Sequence, residues 1–73
     1  MEVQEALSLV RRLYSREGYF SRFLELCAEN PQSTYKAVYH LIEGEYFSLF
    51  GTFRYIDYNS FRHAKHAYFK SLK

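Results

Sequence analysis

The sequence predicts an all-α fold, a compact domain of four helices spanning residues 1–73, and three observations support this prediction. Apolar residues recur with the helical period in four successive segments. Helix-breaking residues at Gly18, Pro31 and Gly51 separate these segments. Tyr and Phe make up 21% of the residues, and each ring can bury roughly 150–250 Å², enough to form the core of a small domain.

The first two helices are predicted in residues 2–17 and 19–29. When successive residues are placed about 100° apart, the apolar residues of each segment fall within one arc. If the two segments formed one continuous helix, these arcs would be offset by roughly 120° and could not face a single core. We therefore predict a break at Gly18, because a residue without a Cβ can end a helix in the left-handed conformation.

The third helix is bounded by residues that favour helix ends. The Asn30–Pro31 pair ends the second helix, because the proline ring disfavours the α conformation in the residue before it. Ser33 or Thr34 can cap the third helix. Asn30 as the cap, with Pro31 in the first helical position, is an alternative. Gly51 is the expected end of this helix.

The fourth helix is predicted to begin at a cap formed by Asp57 or Asn59 and to end near Leu72. Before it, residues 52–56 alternate enough to form a short extended segment. Each helix then contributes one apolar stripe to the core. The predicted core residues are Leu7, Val10, Tyr14, Phe20, Phe23, Cys27, Val38, Ile42, Tyr46, Phe61, Ala64 and Tyr68.

Export and membrane insertion are not expected. Charges near the start interrupt the apolar region that a signal peptide needs. The longest stretch without a charge, residues 46–53, is far shorter than the roughly 20 residues of a membrane-spanning helix. Cys27 has no second cysteine with which to form an internal disulfide. We therefore expect a reduced, cytoplasmic protein with no membrane partner.

No motif in the chain is typical of catalysis. There is no glycine-rich phosphate loop, and a chain of this size has little volume for an enclosed pocket of roughly 300 Å³. His63 and His66 are spaced so that they could share a metal. However, basic neighbours such as Arg62 would repel a dication. We expect no enzymatic activity, no small-molecule substrate, no cofactor and no metal.

Charge is distributed unevenly along the chain. Residues 1–53 contain five Lys and Arg against seven Glu, a net charge of −2. Residues 54–73 contain five Lys and Arg against one Asp, a net charge of +4. This asymmetry indicates that a polyanion or an acidic protein surface meets the C-terminal end.

The fourth helix separates an apolar face from a basic one. An arc of about 100° holds the candidate nucleic-acid-binding residues, which are Asn59, Arg62, His63, His66, Lys70 and Lys73. Asn59 and Arg62 are the candidates for base contacts, because each side chain can form two hydrogen bonds to the edge of one base. The other four would hold the phosphate backbone. The alternative is a solvated face whose cations complement the helix dipole.

In outline, a helix followed by a basic helix resembles a helix-turn-helix DNA-binding domain, over roughly residues 33–73. The predicted connection, from Gly51 to Asp57, is longer than the usual turn of three or four residues. The second and third helices are joined by a shorter turn, but the third helix would then present a reading face without net positive charge. We therefore favour the fourth helix, and duplex DNA over RNA, in a regulatory or mobile-element context.

A protein-interaction or homo-oligomeric adaptor module is the alternative function. Phe47 lies on the otherwise polar side of the third helix, near Glu43, while Phe53 and Tyr55 add aromatic residues in the next connection. Aromatic residues are enriched at interface centres, although scattered exposed ones are ordinary in a small domain. Because a core of this size supplies only roughly 3–5 kcal/mol without a disulfide or metal, we expect self-association or a protein partner.

Overall fold

A computed structural model describes residues 3–72, which form four helices joined by short connections. The helices are α1 (Val3–Tyr14), α2 (Arg16–Glu29), α3 (Tyr35–Phe50) and α4 (Tyr58–Ser71). The predicted all-α fold of four helices is confirmed. No strand occurs in the described residues, so residues 52–56 are an irregular connection.

Capping side chains set where the last three helices begin. The caps are Ser15, Thr34 and Asp57, whose side-chain oxygens lie 3.0, 3.1 and 2.8 Å from the amide nitrogen three residues later. Each bond satisfies an amide that has no partner within its helix. Thr34 and Asp57 are among the predicted caps. Gly51 ends α3 in the left-handed conformation, with φ at 73°, as the sequence predicts.

The predicted break between the first two helices is confirmed, but it lies at Ser15 and not at Gly18. α1 ends at Tyr14, and Ser15 takes up the extended conformation that separates the helices. Gly18 therefore lies in the first turn of α2. A Cβ on this residue would overlap the backbone carbonyl oxygen of Arg12, so glycine is required for close approach of the two helices rather than for a left-handed turn.

We expect Gly18→Ala to destabilise the protein by about 1–3 kcal/mol, because the added methyl group must displace the backbone of α1. Gly44→Ala is the matched control, since a Cβ there meets nothing within 4 Å. That substitution should instead stabilise α3 by about 0.5–1 kcal/mol. Urea denaturation followed by circular dichroism compares the two variants, and effects of the same sign would contradict this role of Gly18.

Aromatic rings fill the centre of the bundle. Phe61 has no exposed surface, and its ring centroid lies 4.8–6.3 Å from those of six other aromatic residues. Such edge-on, tilted and stacked arrangements add to the hydrophobic stabilisation. The buried apolar residues are Leu13, Tyr19, Phe20, Phe23, Leu26, Val38, Tyr39, Ile42 and Phe61.

The buried set confirms five of the predicted core residues, which are Phe20, Phe23, Val38, Ile42 and Phe61. Four others are half-buried against this core, namely Cys27, Tyr46, Ala64 and Tyr68. Burial raises the pKa of the Cys27 thiol above its ordinary value. Val10 is half-buried as well.

Two core predictions on α1 are wrong. Leu7 is 53% exposed and Tyr14 is 75% exposed. α1 instead buries Leu13 and packs Leu9 against the core. The helix is rotated so that only one edge of its broad apolar face meets the rest of the bundle.

Glu43 is also placed differently from the sequence expectation, because its side chain is buried rather than on a polar face. Its Oε1 accepts a hydrogen bond from the Tyr19 hydroxyl at 2.6 Å, and its Oε2 accepts one from the Arg54 amide at 3.0 Å. The Arg54 guanidinium donates to the carbonyl oxygens of Leu13 and Tyr14, at 3.3 and 3.1 Å. The Arg54 bonds fix the connection before α4 to α1 and α3, and the Tyr19–Glu43 bond joins this network to α2.

Candidate nucleic-acid interface

The apolar residues of α4 pack against the core, and its basic residues are exposed to solvent. Phe61 is buried, and the half-buried Tyr68 stacks on Phe20 with the ring centroids 5.1 Å apart. The candidate nucleic-acid-binding residues of the described part of α4 are all exposed, and we call them the α4 basic face: Asn59, Arg62, His63, His66 and Lys70. The sixth candidate, Lys73, lies outside the described residues. Leu72, near the end of α4, is 63% exposed.

The α4 basic face is open to solvent. A shallow depression on it is lined by Arg62, His63, Lys65, His66, Phe69 and Lys70. Because a single helix supplies all six residues, this depression can contact a large partner but cannot enclose a small molecule. The Arg62 guanidinium donates to the Asn59 side-chain oxygen at 3.4 Å, a long bond between two exposed groups.

Three further cations lie on α4 or next to it, each over an aromatic ring. The pairs are Lys65–Tyr35, Arg16–Tyr68 and Lys36–Tyr58, with the cation 4.4, 5.2 and 5.9 Å from the ring centroid. Arg16 begins α2 and Lys36 lies in the first turn of α3. Sequence reasoning missed both, because only the packing of α2 and α3 brings them beside α4. Lys65 belongs to α4, but its position around the helix lies outside the arc that holds the predicted basic residues.

The ion pairs of residues 3–72 lie on the other three helices. Arg22 contacts Glu45 at 2.7 Å and Glu25 at 3.1 Å, and Arg12 also pairs with Glu25. The hydrogen bonds from Arg12 and then Arg22 hold the pKa of the Glu25 carboxyl below its ordinary value. No cation of α4 takes part in these pairs, so the basic charge of α4 is not neutralised by the described acidic residues.

Asp57 is the carboxylate closest in sequence to the α4 basic face. Its Oδ1 accepts a hydrogen bond from the Ser60 amide in the first turn of α4. The hydrogen bonds from Ser60 hold the pKa of Asp57 below its ordinary value, and the charge of His63 acts in the same direction. The carboxylate therefore serves as a helix cap.

The three candidate interface aromatics separate into two environments. Phe47 and Phe53 are 46% and 58% exposed, and their rings pack on each other with centroids 4.7 Å apart. Tyr55 is half-buried and points into the core, where its ring centroid lies 5.5 Å from that of Tyr19 and 5.8 Å from that of Phe61. The structure thus brings two of the three candidates together on the surface.

Two further searches of the described residues gave no site. No group of three His, Cys, Asp or Glu side chains in residues 3–72 could hold a metal ion. None of the four described helices is both long and apolar enough to cross a membrane.

The fold and its surface define a small all-α domain whose last helix carries an unneutralised basic face. No protein-family model, curated protein or solved structure matches the chain.

Proposed function

We propose that this protein binds duplex DNA through the α4 basic face, as a small regulatory or mobile-element protein. The observation that carries the proposal is the exposure of five polar and basic residues on α4 with no acidic partner in the described residues. Lys36 and Lys65 lie beside this face and extend the positive surface onto α3. A surface of this kind attracts a phosphate backbone by displacing its counterions.

The position of α4 suits insertion into the major groove. Asn59 and Arg62 lie in its first two turns, the end that a recognition helix directs towards the bases. Their mutual hydrogen bond is long and exposed, so it can be exchanged for contacts to adenine and guanine edges. The connection from Gly51 to Asp57 is longer than a helix-turn-helix turn, but the bonds of Arg54 and Glu43 hold it in place.

We expect wild-type protein to bind labelled duplex DNA at low salt and the double variant Arg62→Ala, Lys70→Ala to bind it much more weakly. Each lost phosphate contact should reduce the slope of log K against log salt by about 0.9. Arg11→Glu is the control, because it makes the same change in net charge on the exposed side of α1. Fluorescence anisotropy titrations at several salt concentrations measure the slopes, after circular dichroism has shown that all three proteins fold.

The outcomes separate the parts of the proposal. Absence of wild-type binding at low salt would rule out DNA as the ligand. Equal weakening by Arg11→Glu and by the double variant would show that net charge, and not α4, governs binding. Arg62→Ala alone should also reduce discrimination between DNA sequences, whereas Lys70→Ala should weaken binding to all sequences alike.

Protein interaction remains the second candidate, and the exposed Phe47–Phe53 pair favours it. Paired aromatic rings at the surface resemble the centre of an interface. An acidic protein partner could also use the α4 basic face. Failure to bind DNA, together with loss of a protein complex on Phe47→Ser, would favour this function.

A further inference from the structure

Both histidines of α4 line the depression on the α4 basic face. His63 and His66 are three residues apart, a spacing that makes side chains neighbours on a helix. Arg62 and Lys70 lie four residues before and after His66, and Lys65 completes the charged lining. No carboxylate of residues 3–72 lines the depression. Two groups whose charge can change therefore lie among cations whose charge is constant near neutral pH.

Groups from the connection before α4, from α3 and from α2 lie near this lining. Hydrogen bonds from Ser60, and then the charge of His63, lower the pKa of the Asp57 carboxyl, so His63 and Asp57 are close to each other. Lys36 of α3 lies beside the first turn of α4. The Cys27 thiol of α2 stays protonated near neutral pH, because burial raises its pKa. None of these three neighbouring groups gains or loses its charge near neutral pH.

Imidazole is the side-chain group of the depression whose charge changes near neutral pH, since histidine titrates between about pH 5 and pH 8. A phosphate group next to an imidazole favours the charged form, because opposite charges attract. Binding of a phosphate backbone to this depression is then accompanied by proton uptake. Because such coupling is reciprocal, protons must also favour the binding of phosphate.

We propose that His63 and His66 make DNA binding by the α4 basic face dependent on pH, so that binding tightens as the pH falls from about 8 to about 5.5. This inference rests on the proposed function, because it assigns regulation to the same surface. At low pH both imidazoles are charged with and without DNA, so their attraction for phosphate is fully available. At high pH both are neutral in either state, and that attraction is lost.

Two matched variants test the proposal. His63→Gln, His66→Gln removes both titratable groups, whereas His63→Lys, His66→Lys makes their positive charge constant over this pH range. Anisotropy titrations of labelled duplex DNA, at constant ionic strength and at both ends of the range, measure the affinity. Wild-type protein should bind about tenfold or more tightly at the lower pH. The Gln variant should bind weakly at both pH values, and the Lys variant tightly at both.

His40→Lys is the control, because His40 is an exposed histidine of α3 outside the depression. It makes the same kind of charge change and should keep the wild-type pH dependence. Circular dichroism at both pH values shows whether each protein is folded. A role of His63 and His66 in folding alone would weaken the Gln and Lys variants alike, and that result would overturn the proposal.

Proton uptake gives a second measurement. Isothermal titration calorimetry near pH 6.5, in two buffers with different ionisation enthalpies, should show net proton uptake when wild-type protein binds DNA and much less with the Gln variant. If wild-type protein binds no duplex DNA at either pH, the proposed function fails, and this inference with it. If it binds equally at both pH values, or if the Gln variant keeps the pH dependence, the function stands and the inference is overturned.

Discussion

Phe61→Ala is expected to unfold most of the protein even without denaturant. The Phe61 ring is fully buried and lies among six other aromatic rings from α2, α3, α4 and the preceding connection. Truncating a buried phenylalanine to alanine costs about 3–5 kcal/mol in lost transfer energy and cavity formation. A core of this size supplies roughly the same total stability, so little would remain.

Phe53→Ala is the control for this prediction, because it removes the same side chain from a position that is 58% exposed. It should cost less than about 1 kcal/mol. Circular dichroism and urea denaturation of the three proteins measure the difference. If Phe61→Ala stays cooperatively folded with a loss below that of Phe53→Ala, the aromatic cluster is not the source of stability.

Glu43→Ala is expected to destabilise the protein by about 2–4 kcal/mol. The substitution removes the acceptor of the Tyr19 hydroxyl and of the Arg54 amide. A buried donor without a partner costs about 1–3 kcal/mol. The loss also frees the connection before α4, so we expect faster amide hydrogen exchange between Gly51 and Asp57.

A double-mutant cycle measures the Tyr19–Glu43 contact itself. We expect Tyr19→Phe and Glu43→Ala to couple by about 1 kcal/mol, since either change removes the same hydrogen bond. Glu5→Ala, at an exposed residue of α1, should lie within about 0.5 kcal/mol of wild type. Strictly additive effects of the first two variants would show that this bond does not contribute to folding.

Tyr19 also predicts how stability depends on pH. Burial, and then the hydrogen bond to Glu43, raise the pKa of the Tyr19 phenol above its ordinary value of 10.0. The unfolded chain therefore loses this proton first as the pH rises. The contribution of Tyr19 to stability is complete below pH 10 and declines above it by up to about 1.4 kcal/mol per pH unit. Tyr19→Phe should make alkaline unfolding less steep.

Local chemistry made most of the fold predictable. Thr34 and Asp57 cap their helices, and Gly51 ends α3, because each acts on backbone groups within a few residues of itself. The separation of Phe61 from the α4 basic face follows from the helical period alone. For these features the sequence near each residue carries the necessary information.

The features that the sequence left open depend on contacts between distant segments. The sequence predicts a helix end at Gly18 because glycine has no Cβ, whereas the structure shows that Gly18 allows close approach to the Arg12 backbone, a contact that the local sequence does not reveal. The helical period places Glu43 on a polar face, but its side chain is buried because its partners, Tyr19 and Arg54, come from other parts of the chain. Arg16 reaches α4 only through the packing of α2.

The sequence by itself determined that this protein forms four amphipathic helices, that α3 ends at Gly51 and that α4 has a basic side, and it limited the caps of α3 and α4 to a few candidate residues. Only the tertiary structure decided which part of each apolar face is buried. α1 shows the reason most clearly, because its apolar arc is too broad for the surface that α2 and α3 offer. Packing selects Leu9 and Leu13 and leaves Leu7 and Tyr14 exposed, since the rotation of a helix is set by the shape of its neighbours rather than by its own residues.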